Sequence, residues 1–173
     1  VTPHNITNQL YQQSDIGKLK VDAIKEHMLK INPKLNITTH EKGWDESVRL
    51  DGYVISALDS IETRKRLFSS HEHNPFIKAA LDMRIGLEEA QMYFADWDSG
   101  RAVERFLSTM NFKESEVTNA VSACGTALSV LPTIQIIVSY GVMNLINFIK
   151  TKEYNYFTII NSITGAAQGW LSE

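Results

Sequence analysis

The residues of this 173-residue chain whose types and settings could do chemistry are a lysine, an aspartate, two side-chain amides and a single thiol. Lys20 stands early in an amphipathic segment, where its ammonium could hold phosphate oxygens as a compact point charge. Asp59 closes the apolar run Tyr53-Val54-Ile55-Ser56-Ala57-Leu58, and a carboxylate at the end of a buried strand can hold Mg2+ between phosphates. Asn5 and Gln9 could hydrogen-bond phosphate or nucleotide from the opening loop. Cys124 is the only cysteine and so the one candidate thiol nucleophile; a helix beginning near Thr126 would lower its pKa. Each of these residues has a plainer reading. Lys20 could be a solvated helix lysine, Asp59 an N-cap for a helix from Ile61, Asn5 and Gln9 turn amides, and Cys124 a small buried hydrophobe. Arg64 reads as a structural ion-pair partner.

These residues need elements to position them, and the hydrophobic periodicity supplies a set. Ser14 or Asp15 can cap a helix that runs to Ile31 on the stripe Ile16, Ala23, Ile24, Met28 and Ile31 and ends at Asn32-Pro33. Leu35 to Thr39 reads as a short strand, and Glu41 to Asp51 as a polar connection with a helical turn. The run from Tyr53 to Leu58 fits a strand buried on both faces, as in a parallel sheet. A helix follows over Ile61 to Ser69, then strands over Phe76 to Leu81 and around Gln91 to Ala95. Ser99 to Met110 reads as an amphipathic helix. A long apolar helix over Thr126 to Lys150 is bent or begun near Pro132. Tyr154 to Ile160 reads as a strand and Gly165 to Glu173 as an irregular end. The alternation predicts a single α/β domain over residues 1–173, built on an open, mostly parallel sheet flanked by helices with an antiparallel C-terminal part. Ligands bind such sheets beyond the C-terminal ends of the strands, which singles out the loop before Leu10 and the Asp59-Ser60 corner.

Composition narrows the function classes. The chain is 43% hydrophobic and 21% charged with a net charge of -3, its basic residues mixed among acidic ones. Nucleic acid is therefore not an expected partner, and Trp44, Trp97 and Trp170 are too dispersed to form a stacking platform. One cysteine rules out a disulfide framework and a cysteine-rich zinc site, and fits a reducing cytoplasm. His71-Glu72-His73 is a poor metal motif, since residues two apart face away from each other on a helix. No charged residue lies between Glu116 and Lys150, long enough to span a bilayer. Its scattered polar residues, Asn119, Thr133, Gln135, Asn144 and Asn147 among them, point to a buried helix and not a membrane span. Asp82-Met83-Arg84 reads as an ion pair at the end of a strand.

Four segments, in order, resemble the ThiF/MoeB/HesA family, relatives of the ubiquitin-activating enzymes. Val1-Thr2-Pro3-His4-Asn5-Ile6-Thr7-Asn8-Gln9 followed by Asp15-Ile16-Gly17-Lys18-Leu19-Lys20 is similar to the family pattern V-x-x-x-N-L-x-R-Q, then D-(I/V)-G-x-x-K. Ile31-Asn32-Pro33 matches the "INP" at the end of the family helix. Val54-Ile55-Ser56-Ala57-Leu58-Asp59-Ser60-Ile61-Glu62-Thr63-Arg64 resembles V-(I/V)-x-x-x-D-N-x-x-x-R. Cys124-Gly125-Thr126-Ala127 with Pro132 and the long apolar helix is similar to C-x-x-A-G-V-x-x-P. The resemblance implies a Rossmann-like adenylation domain. It would use ATP and Mg2+ to adenylate the C-terminal carboxylate of a ubiquitin-like (β-grasp) protein, as a homodimer in the cytoplasm. Asn5, Gln9, Lys20 and Asp59 would serve the nucleotide, Asp59 would serve Mg2+, and Cys124 would be a candidate for sulfur or thioester-type chemistry.

Three departures qualify what the resemblance implies. The family's first βαβ segment, with its G-x-G-x-x-G loop and ribose-binding acid, is expected upstream of Val1, so the chain alone is expected to be inactive. Asn8 stands where the family has arginine, removing a positive charge from the phosphate side. The paired zinc cysteines are missing, which suits a zinc-free branch. The alternative is a catalytically inactive relative that keeps the fold and docks a protein partner.

Overall fold

A computed structural model describes residues 1–86, 88–112 and 131–172 of the chain. Its backbone gathers into two compact units, Val1–Asp45 and Glu46–Glu173.

The first unit opens with a short helix, α1 (Pro3–Asn8), with Pro3 in the first turn, where its fixed φ suits the helix and its missing N–H costs nothing. A 3-10 turn at Gln13–Asp15 follows, then α2 (Lys20–Ile31). The helix begins at Lys20, later than Ser14 or Asp15, because Gly17 takes a φ of 89° between them; that left-handed conformation interrupts a right-handed helix and suits glycine. It stops at Asn32, ahead of Pro33, as expected. Leu35 to Thr39 is irregular and not a strand; Thr39 instead donates its hydroxyl to Asp22 of α2 at 3.3 Å.

The second unit is one five-stranded sheet whose spatial order follows the chain: β1 (Gly52–Ser56), β2 (Ile77–Ile85), β3 (Glu89–Asp96), β4 (Asn155–Asn161) and β5 (Ala167–Leu171). β1 and β2 are parallel, joined through α3 (Ile61–Ser69). The other three pairings are antiparallel. The α/β sheet flanked by helices and its antiparallel C-terminal part agree with expectation, but among the described strands one pairing alone is parallel. Connection length explains two of the three antiparallel pairings: Gly86 N–H closes on the Glu89 carbonyl at 2.8 Å, residues 162–166 join β4 to β5, and links so short permit only antiparallel hairpins. β1 is not buried on both faces either. It lies at the edge of the described sheet, leaving Tyr53 40% and Ile55 51% exposed.

Successive strand residues face opposite sides, and β2 shows which helix covers which. Leu81 meets α5 (Leu131–Thr151), where a Cβ on Gly141 would lie 3.2 Å from the Leu81 side chain. Its neighbour Asp82 meets Arg64 of α3. The face under α5 holds the main core, with Leu81, Met83, Met92, Phe94, Ile137, Phe148 and Ile160. On the other face α3 packs with α4 (Gly100–Ser108) through Phe68 and Phe106, edge to face at 4.9 Å. Trp97 joins that pair and donates its indole N–H to the His71 carbonyl at 3.0 Å.

α5 is long and apolar enough to cross a membrane by length and composition, yet it lies on the sheet along the stripe Thr133, Ile137, Gly141, Asn144 and Phe148. Asn144 exchanges two hydrogen bonds with the backbone of Asn155, at 3.0 and 2.8 Å. The burial expected of this helix holds for that stripe, while Val142, Met143 and Ile149 are exposed. The end expected to be irregular forms β5. Gly165, at φ 70°, turns the chain, the Asn161 side chain accepts the N–H groups of Ile163 and Thr164, and Trp170 stacks on Phe157 at 4.9 Å.

Candidate functional site

In the first unit, Lys20 opens α2, exposed, and has no ion-pair partner among the described residues. A cation at a helix N-terminus is opposed by the positive end of the helix dipole, so nothing local explains its charge; an anion there would meet both the ammonium and the free N–H groups of the first turn. Asn5 is half-buried, and its Oδ1 already accepts the Thr2 N–H at 2.9 Å and hydroxyl at 3.1 Å. It therefore serves the start of α1, leaving its amide NH2 as the group that could reach a ligand. Gln9 caps the end of α1 with an exposed side chain.

The D-I-G motif of this unit is structural. Asp15 is buried and accepts the Gln12 N–H at 2.9 Å, with Lys18 at 3.3 Å and His27 at 2.9 Å. The Gln12 N–H, then Lys18 and His27, hold its carboxyl below the usual carboxylate range against the opposing effect of burial. A carboxyl with a depressed folded-state pKa adds stability above its unfolded value, about 4, and loses it as pH falls through the folded value. The thermal midpoint is therefore expected to drop more steeply on acidification below about pH 4 in the wild type than in Asp15→Asn, measured by melting across pH. Parallel profiles would remove Asp15 as the cause.

In the second unit the corner between β1 and α3 is built from neighbours. The N-cap of α3 is Ser60, whose Oγ accepts the Thr63 N–H at 3.3 Å. Asp59 is thus not the cap of this helix, stays exposed, and accepts no hydrogen bond from the described residues. Behind the corner, Arg64 donates to the Leu58 carbonyl and lies 3.4 Å from the Asp82 carboxylate. Asp82 is fully buried and also accepts Arg84 Nε at 2.8 Å. Burial pushes the Arg64 guanidinium below its ordinary value, and Asp82 pulls it back. The Asp82–Arg84 ion pair near the end of β2 was readable from the sequence. The central place of Asp82 was not. Its signal was a carboxylate set between the apolar Ala79-Ala80-Leu81 and Met83, a setting that requires a charged partner.

Cys124 lies outside the described residues. Among the described residues no group of three or more histidines, cysteines or acids could hold a metal. His71 is buried with Nδ1 at 2.9 Å from the Leu67 carbonyl.

The chain matches the ThiF family over residues 1–169. It is 34% identical over 70 residues to tRNA threonylcarbamoyladenosine dehydratase 1 of Saccharomyces cerevisiae, an alignment covering 35% of this chain and 16% of that protein. Its fold is similar to that of PaaA, with a TM-score of 0.65 and 16% identity over 98% of this chain and 60% of that one. It is equally similar to E. coli MccB solved with AMPCPP and MccA, at a TM-score of 0.65 and 15% identity over 98% of this chain and 53% of that one. At such identities the likeness is one of fold, and the chain spans little more than half of these structures and a sixth of the yeast protein.

Proposed function

The chain belongs to the ThiF family, and from that premise we propose that it serves ATP-dependent adenylation of a carboxylate, the C-terminal carboxylate of a ubiquitin-like β-grasp protein. The observation that carries this reading is Asp59: exposed three residues past the C-terminal end of the parallel strand β1, free of capping duty, and followed five residues on by the arginine of the same signature. Mg2+ takes oxygen ligands and commonly uses one or two carboxylates together with substrate phosphates, so a single open carboxylate fits it. When bound, Mg2+ neutralises phosphate charge as it develops. Lys20 adds a fixed positive charge for the phosphates, and Asn5 and Gln9 offer amide donors. In the reaction a carboxylate oxygen attacks the α-phosphorus of ATP, the acyl–AMP bond forms, and the bond to pyrophosphate breaks. Such an attack needs alignment and charge neutralisation more than proton transfer. Cys124 as a later nucleophile, a homodimer and a cytoplasmic setting belong to the same reading.

The test is ATP–pyrophosphate exchange by the protein expressed from its full reading frame, with its carboxylate partner. Lys20→Ala is expected to lower exchange about 100-fold, the scale of losing one charge-stabilising group, with Lys20→Arg recovering part of it. Exchange unaffected by both substitutions would remove Lys20 from the reaction. Asn8, in place of the family arginine, favours a second reading: a non-catalytic relative that docks a protein partner. No exchange with any carboxylate partner, alongside retained partner binding, would select it.

A further inference from the structure

We propose that Arg64 is a positioning residue for Asp59, holding the carboxylate open by pinning the backbone just before it and by being kept from pairing with it. This rests on the assignment of Asp59 to Mg2+. The guanidinium of Arg64 donates to the carbonyl of Leu58, the residue preceding Asp59, and its other terminal nitrogen faces both oxygens of Asp82 at 3.4 Å. Asp82 is a firm anchor. It is fully buried, pairs in register with Ser56 at the end of β1, and is clamped by Arg84. Arg84 is fixed in turn, donating to the Thr109 carbonyl and hydroxyl at 2.8 Å each and lying 4.2 Å over the Tyr93 ring. A chain of planar forks thus runs from the end of α4 through β2 to the β1–α3 corner.

Two guanidinium groups share one carboxylate, so the cluster carries a net positive charge, and Asp59 is near enough to act on Arg64. An arginine free to turn would pair with that exposed carboxylate and take up the oxygens a cation needs. Bonded to Leu58 and Asp82, Arg64 is held away from that pairing. Lysine keeps the charge but lacks the fork that bridges two acceptors, so Arg64→Lys separates geometry from charge.

The experiment is calorimetric binding of AMPCPP to the protein from its full reading frame across a Mg2+ series. For Arg64→Lys, the Mg2+ concentration at half-effect is expected to rise about 10- to 100-fold, the cost of losing a residue that orients a metal ligand, while AMPCPP binding without Mg2+ is unchanged. A purely structural arginine would weaken binding with and without Mg2+ alike. An unchanged Mg2+ midpoint, or equal weakening in both conditions, overturns the proposal. Should Arg64→Lys fail to fold, Arg84→Lys tests the same chain of contacts from its other end: a raised midpoint supports the proposal and an unchanged one overturns it. Asp59→Asn separates the two levels. If it leaves Mg2+ dependence intact, the Asp59 assignment fails; if it abolishes that dependence while the arginine variants do not, the positioning role alone fails.

Discussion

Asp82→Ala is expected to destabilise the fold by about 3–5 kcal/mol, the usual cost of breaking a buried ion pair by removing one partner. The carboxylate is fully buried with Arg64 at 3.4 Å and Arg84 at 2.8 Å, and its deletion leaves two guanidinium groups in a setting meant for one negative charge. Arg84 can still bond Thr109 and lie over Tyr93, whereas Arg64 keeps only the Leu58 carbonyl. Most of the loss therefore falls on the β1–α3 corner. Domains of this size are stable by about 5–15 kcal/mol, so the substitution should bring the protein near its unfolding threshold. Urea unfolding of wild type, Asp82→Ala and Asp82→Asn checks it. Asparagine, which keeps the shape and one acceptor, should lose less. A loss below about 1 kcal/mol for alanine, the range of a surface ion pair, would show that the arginines regain water or new partners.

Asp59→Asn should show the opposite profile. ATP–pyrophosphate exchange by the protein from its full reading frame is expected to fall at least about 100-fold, while stability moves by no more than about 0.5 kcal/mol. The separation follows from the neighbouring serine. Ser60 supplies the helix cap, and Asp59 is exposed with no hydrogen bond from the described residues, so the fold has little use for its charge. In the proposed reaction, substrate phosphates with a shared cation would depend on it. A large drop in melting temperature would mean that the carboxylate serves the fold after all, and unaltered exchange would take it out of the reaction.

The sequence made the family, the α/β class and most elements legible, because these depend on local periodicity and on motifs that keep their spacing. The helices over Ile61–Ser69 and Gly100–Ser108 lie within the segments their stripes mark out, although Ser60 and not Asp59 caps the first. Strand direction was less legible. An apolar run such as Tyr53 to Leu58 reads alike in an edge strand and in a buried parallel one, and the count of parallel pairs depends on connection lengths that the run does not contain. The start of α2 was misjudged because Asp15 looks like a cap in one dimension, whereas it is buried and tied to Gln12, Lys18 and His27. Lys20 and Asp59 were singled out from type and position, and both are exposed. The buried Asp82 with two arginines was not readable, since Arg64 and Asp82 stand 18 positions apart and meet only once the strand and helix are packed.

The scatter of the three indoles, unhelpful for stacking bases, makes each an optical reporter of its own region. Trp44 is half-buried in the first unit, Trp97 is sealed among Phe68, Phe106 and the His71 carbonyl, and Trp170 rides on Phe157 at the last strand. Retaining one tryptophan at a time gives emission spectra that distinguish loosening of the N-terminal unit, melting of the packed interior and fraying of the sheet's final edge.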